Sequence, residues 1–216
     1  MKYTTYLFDF DGTLVDSMWI FETICLRILE KNGAEYNEGD VNIIRTKGYP
    51  EVAEYLAGRF DFGMNADEIY ALMRARILAE YENTVPAKKN VIEVIKALKK
   101  AGASLNILTS SPRTRVEPCM KRLGFDGYFE NVWTRDEVGF SKDTADLYRT
   151  TAEKLGKRAG EILFCDDNRK FLALAASVGM KTCGVYDARA DKYTDEIKNK
   201  ADYYVYDFGE LLNIVK

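Results

Sequence analysis

The chain has no histidine among its 216 residues. That absence excludes a Ser-His-Asp triad, a histidine phosphoenzyme and the common His-containing zinc sites. It leaves Asp, Glu, Lys, Tyr and Cys for nucleophile and proton-transfer work. Cysteine is scarce: Cys25, Cys119, Cys165 and Cys183 stand far apart with no C-x-x-C, which argues against a zinc or dithiol site and for reduced core thiols. No apolar run approaches bilayer length, and no basic segment followed by an apolar stretch opens the chain, so a cytoplasmic location with no membrane partner is expected. Strong charge of either sign is missing too. With 31 Lys and Arg against 34 Asp and Glu, the net charge of −3 gives no general attraction to nucleic acid or an anionic surface, so partners must be recognised locally. There is no internal repeat, low-complexity tract or charge block. The length suffices for a substantial core, in one large domain or a domain with an insert.

What is present is concentrated in Tyr6-Leu-Phe-Asp-Phe-Asp-Gly-Thr-Leu-Val-Asp-Ser17. An aromatic-rich apolar run stops abruptly at Asp9 and Asp11, then passes through Gly12 and Thr13, the pattern of a buried strand delivering carboxylates to a sheet edge. Residues two apart on a strand share a side, so Asp9 and Asp11 can face one ligand while Phe10 points into packing.

Several helices follow without a strand between them. Asp16 or Ser17 is placed to cap a helix running to about Lys31; Asp40 to Lys47, Pro50 to Phe60 and Asn65 to Tyr81 read as three more. From Pro86 a βα rhythm begins: helix Val91–Lys100, strand Ser104–Leu108, helix Arg113–Leu123, strand Asn131–Trp133 and helix Thr144–Leu155. It continues with strand Ile162–Cys165, helix Lys170–Val178, strand Lys181–Val185, a last strand Tyr203–Tyr206 and a terminal helix Phe208–Val215. The alternation predicts an α/β fold, a Rossmann-like parallel sheet covered by helices, with ligands at the carboxyl ends of the strands. The expected domains are a core of residues 1–15 and 86–216 and an all-helical insert of residues 16–85.

Two more strand ends and one loop carry chemistry. Leu105-Asn-Ile-Leu-Thr-Ser-Ser111 ends a strand in hydroxyls, where Thr109, Ser110 and nearby backbone N–H groups could hold phosphoryl oxygens, although such residues before a helix also serve as plain caps. Ile162-Leu-Phe-Cys-Asp-Asp-Asn168 again releases an apolar strand into acid. Adjacent like charges need compensation, and a hard divalent cation with oxygen ligands is the natural one. Between them stands Gly139-Phe-Ser-Lys-Asp-Thr-Ala-Asp146, with Lys142 at its centre.

In this order the four segments resemble the motifs of the haloacid dehalogenase-like superfamily, in its phosphatase and phosphomutase branch. Asp9-Phe-Asp-Gly-Thr-Leu-Val-Asp16 is similar to the first motif, Thr109 marks the second, Lys142 stands where the family puts a phosphate-neutralising lysine, and Asp166-Asp167 is similar to the fourth. Many relatives carry a further Asp after the fourth motif, where Phe171 and Leu172 stand here, and prolines around the lysine, which are missing here.

The resemblance implies a phosphatase acting on a small-molecule phosphate ester. Asp9 would be the nucleophile forming an aspartyl phosphate, Asp11 the acid and base, and Thr109 and Lys142 the holders of the phosphoryl oxygens. It also implies Mg²⁺ held by Asp9, the backbone carbonyl of Asp11 and Asp167, with Asp166 as ligand or supporting residue. Gly12 would let the backbone approach phosphate and Thr13 would brace the turn. In the helical insert Trp19, Arg45, Lys47 and Tyr49 are candidates for reading the leaving group. A phosphomutase of the same branch and a phospho-accepting or silent binding module are the alternatives. Phosphoglycolate, sugar phosphates, nucleotides and pyrophosphate all fit the motifs, and oligomeric state is open.

Overall fold

The four-residue run Thr5–Phe8 (β1) is buried at every position, as a strand covered on both faces requires. In the computed structural model it lies inside a six-stranded sheet; residues 2–125, 127–134, 137 and 142–214 are described. Two compact units are present, residues 1–17 with 85–216 and residues 18–84.

The first unit holds the sheet. After β1 come α5 (Val91–Lys100), β2 (Ser104–Leu108), α6 (Arg113–Leu123), β3 (Asn131–Trp133), α7 (Ala145–Lys154), β4 (Ile162–Asp166), α8 (Arg169–Ser177) and β5 (Lys181–Val185), then α9 (Thr194–Lys200), β6 (Tyr203–Val205) and α10 (Leu211–Ile214), with α1 to α4 belonging to the second unit. All pairings are parallel and the order is β3-β2-β1-β4-β5-β6. The chain builds outward from β1 to one side, then returns to β1's other flank with β4. The ends of β1, β2 and β4 therefore meet where the strand order reverses, which is where open α/β sheets bind ligands. Register carries this to single residues: Phe8 faces Ile107 of β2 and Cys165 of β4, so Asp9 leaves the sheet level with Asp166. Helix α5 buries Val91, Val94, Ile95 and Leu98, the i, i+3, i+4, i+7 stripe of an amphipathic helix. Leu7, Leu108, Tyr148, Phe164 and Ala175 belong to one apolar cluster among the sheet, α7 and α8.

The second unit is all-helical: α1 (Ile20–Lys31), α2 (Glu38–Thr46), α3 (Tyr49–Arg59) and α4 (Ala66–Asn83). Asn37 and Asn65 close capping boxes at α2 and α4. Ile24, Ile28, Leu29, Ile44, Leu56, Ile69, Met73 and Ile77 fill its interior.

Most expected elements match within two residues, with three differences. Helix α1 starts at Ile20 with Trp19 at its N-cap, because the Ser17 hydroxyl donates to Asp11 instead of capping. The expected terminal helix is divided into a 3₁₀ turn at Phe208–Glu210 and α10, where Asp207 caps the turn; Val215 lies outside the described residues. A 3₁₀ segment, Ala188–Tyr193, and α9 fill a stretch that carried no sequence expectation. The four cysteines are buried and unbridged. No described helix is long and apolar enough to cross a membrane.

Candidate active site

Asp9 follows β1 directly, and its N–H continues the ladder to the Cys165 carbonyl at 2.9 Å. The chain then turns tightly. Leu14 and Val15 N–H groups both donate to the Phe10 carbonyl, and Gly12 N–H donates to the Val15 carbonyl. Phe10 is fully buried, as its side of the strand requires. Gly12 has φ of +79°, and a Cβ there would lie 2.7 Å from Asp167 Oδ2 and 2.8 Å from its Cγ. Only glycine satisfies both constraints, so the structural reason for Gly12 is the approach of the Asp167 carboxylate.

Asp9, Asp166 and Asp167 are all buried, and a carboxylate oxygen from each lies within 4.8 Å of the others. Lys142, 5% exposed, donates to Asp9 Oδ1 at 2.5 Å and to Asp166 Oδ2 at 2.7 Å. The other Asp166 oxygen accepts the Asn168 N–H at 2.7 Å, so both of its oxygens are engaged. Asn168 in turn caps α8 through Lys170 N–H. The Asp167 carboxylate accepts no hydrogen bond from any described residue. Lys142 thus bonds two of the three buried carboxylates and leaves Asp167 without a hydrogen bond from a described residue, a charge imbalance that a cation or a proton relieves.

The pKa directions express this imbalance. Burial pushes Asp9 up to about 7; the Lys142 charge opposes the rise, and Asp166 and Asp11 add to it. Burial likewise raises Asp166, against the pull of Lys142, and raises Asp167 strongly, with the charges of Asp166, Asp9 and Asp187 adding to the latter. For Lys142 burial acts downward, but Asp166 and Asp9 outweigh it and hold the ammonium firmly charged. The donor set is oxygen-only, anionic and short of positive charge. It fits a hard divalent cation.

Asp11 is not one of these three carboxylates, though its charge reaches Asp9. Its Oδ1 accepts the Ser17 hydroxyl at 2.6 Å and its Oδ2 the Ser111 hydroxyl at 2.5 Å. Thr109, at the end of β2, is buried; its Oγ1 accepts Ser111 N–H at 3.0 Å, and its own O–H donates to no described residue. Ser110 is exposed. Thr13 is fully buried, with a hydroxyl that makes no hydrogen bond to any described residue. Gly139, Phe140 and Ser141 of the lysine segment lie outside the described residues.

The structure therefore brings Asp9, Lys142, Asp166 and Asp167 into one cluster, with Gly12 against it. Asp11 is joined to Ser17 and Ser111. Arg45, Lys47 and Tyr49 belong to the helical unit. There Arg45 is held by Glu22 at 2.8 Å and Glu38 at 3.0 Å, and the Tyr49 ring lies 4.3 Å from that of Phe21. Lys47 is exposed and makes no ion pair among the described residues. Three contributors were not singled out from sequence: Ser17 and Ser111 on Asp11, and Asp187, which is buried, paired with Lys88 at 2.9 Å and close enough to affect Asp167.

Comparison with known proteins gives the family. The sequence profile of the haloacid dehalogenase-like hydrolases matches residues 6–185. Pyrophosphatase PpaX of Bacillus velezensis is 30% identical over 187 residues, covering 85% of this chain and 83% of its own. Among solved structures, a predicted phosphoglycolate phosphatase from Haemophilus somnus shares the fold with a TM-score of 0.77 at 21% identity, over 100% of this chain and 99% of that one. A hydrolase of the same family from Deinococcus radiodurans, with bound phosphate and sodium, has a TM-score of 0.77 at 23% identity, over 97% and 93%. The chain belongs to the haloacid dehalogenase-like hydrolase family.

Proposed function

We propose that this phosphatase hydrolyses a small phosphate ester or anhydride through an aspartyl phosphate on Asp9, with Mg²⁺ as cofactor. The observation that carries the reading is the Asp9–Lys142–Asp166 arrangement beside Asp167, which accepts no hydrogen bond from a described residue. Asp9 and Asp167 would hold Mg²⁺, together with the backbone carbonyl of Asp11, while Asp166, both oxygens engaged, anchors Lys142. When bound, the cation would keep Asp9 ionised at neutral pH and offset charge on the phosphoryl oxygens.

The chain's own groups supply the rest. Asp9 attacks phosphorus, forming an O–P bond as the bond to the leaving oxygen breaks, and Asp11 gives that oxygen its proton. Water then attacks the acyl phosphate, losing a proton to Asp11, and releases phosphate with Asp9 restored. The Ser17 and Ser111 hydroxyls suit this alternation. A hydroxyl can donate to a carboxylate or accept from a carboxylic acid, so the same two contacts serve both states of Asp11. Two of the three Lys142 N–H groups are used on carboxylates, and the third, with the Thr109 O–H, is left for phosphoryl oxygens. The helical unit would discriminate leaving groups. Of the candidates there, Lys47 makes no ion pair among the described residues, whereas Arg45 is paired with Glu22 and Glu38.

The test is phosphate release from a panel of monoesters and inorganic pyrophosphate, with Mg²⁺ and with chelator; the Bacillus velezensis pyrophosphatase puts the anhydride in the panel. Cation-dependent release is expected. Isomerisation of a sugar phosphate without release would transfer the same chemistry to a mutase.

A further inference from the structure

The Lys142 side chain is held by more than its two carboxylates. Its Nζ lies 4.6 Å from the centroid of the Phe171 ring and 5.5 Å from that of Phe164. Phe164 is fully buried on β4 and packs edge-on against Tyr148 at 5.4 Å, and the Tyr148 hydroxyl donates to the Lys142 main-chain carbonyl at 3.2 Å. Phe171, in the first turn of α8, is only partly buried. Backbone and ammonium are therefore both fixed by aromatic residues.

Ring faces attract a cation without accepting its hydrogen bonds, and they keep water from it. This matters because the carboxylate contacts change during the reaction proposed above. Once Asp9 becomes an acyl phosphate it is no longer a free carboxylate, and the Lys142 ammonium must exchange that partner for the new phosphoryl oxygens. A four-carbon side chain regains rotamer freedom when a partner leaves. The ring faces carry no charge that turnover alters, so they hold the ammonium in place through both half-reactions.

We infer that Phe171 is a positioning residue for Lys142, its ring face keeping the ammonium aimed at the phosphoryl group while Asp9 is esterified. The inference rests on the phosphatase reading of the same site. It predicts an effect on kcat rather than KM, greatest on breakdown of the phosphoenzyme.

The experiment replaces Phe171 by phenylalanines carrying one, two and three ring fluorines, which drain the ring face of negative potential at nearly constant size. Log kcat should fall stepwise along the series, by about 2- to 30-fold in all, with KM and Tm nearly constant. Phe171→Leu should match the most fluorinated variant and Phe171→Tyr should recover wild-type turnover. A second readout needs no turnover. In the metal-free protein the Lys142 ε-methylene NMR signals should be shifted upfield by the ring current and return in Phe171→Leu. A flat fluorine series in an active enzyme overturns the inference, because a ring that merely fills space is indifferent to fluorination. Unshifted Lys142 signals overturn it as well. If the wild type releases no phosphate from any substrate, the phosphatase reading fails, and the ring-current shift alone decides whether Phe171 holds the ammonium.

Discussion

Replacing Gly12 by alanine tests the geometry of the acidic cluster at one atom. Two costs can be worked out. The backbone at φ +79° is left-handed, which costs an L-residue about 1–2 kcal/mol. The new Cβ would also lie 2.7 Å from Asp167 Oδ2 and 2.8 Å from Cγ, so the carboxylate must leave its position, not merely tilt. The stability loss of about 2 kcal/mol should lower Tm by roughly 4–8 °C for a chain of this size. Displacing Asp167 removes a ligand from the proposed cation site, so the Mg²⁺ concentration for half-activation should rise by roughly 10- to 100-fold. Thermal melts in chelator measure the first effect and a Mg²⁺ titration of phosphate release the second. A variant that melts like wild type and is activated at the same Mg²⁺ concentration would refute the reasoning, because neither the strained backbone nor the Asp167 contact would then exist as described.

Three further predictions concern charge. Burial pushes Asp9 up to about 7 from an ordinary 3.8, so between those values the folded state holds a proton that the unfolded chain has released; its contribution should make metal-free stability fall as pH rises from about 5 through 7. Saturating Mg²⁺ should flatten that fall, and chelator melts that climb from pH 5 to 8 would contradict it. Lys142→Met leaves three buried carboxylates without their ammonium and should cost the metal-free protein about 3–5 kcal/mol in urea denaturation at neutral pH, whereas a loss under about 1 kcal/mol would show that the ion pairs are not formed. Ser111→Ala removes one of the two hydroxyls that orient Asp11 and should lower kcat roughly tenfold with little change in KM, and Ser111→Thr should recover most of it; an unaltered kcat would detach Ser111 from the chemistry.

The parts of the site that could be read from sequence are those whose chemistry is announced locally. Asp9 ends an apolar run that reads as a buried strand, and Asp166-Asp167 does the same, so strand order alone brings these three together. Lys142 could be placed by its position between motifs, but its near-complete burial could not, because it follows from two carboxylates 133 and 24 residues away. Ser111 was legible as a strand-end hydroxyl but not as a partner of Asp11, which lies 100 residues distant. Ser17 reads as a helix cap because serine before a helix usually is one; here the carboxylate six residues earlier takes its hydroxyl. Phe171 reads as an ordinary apolar residue of an amphipathic helix, and only the position of the Lys142 Nζ shows what its ring faces. Arg45 was legible as a charge of the helical unit but not as the partner of Glu22 and Glu38, one on α1 and one on α2.

The measurement that bears most directly on the central claim is the site of covalent phosphate. Enzyme mixed with its preferred substrate and Mg²⁺, quenched in acid within the first turnovers and digested, should yield one peptide spanning Asp9 that is 80 Da heavier, a rough mass for one added phosphoryl group. Hydroxylamine or borohydride should convert that aspartate, and Asp9→Asn should show neither the adduct nor phosphate release. Rapid turnover with an unmodified Asp9 peptide, or undiminished release by Asp9→Asn, would contradict the account.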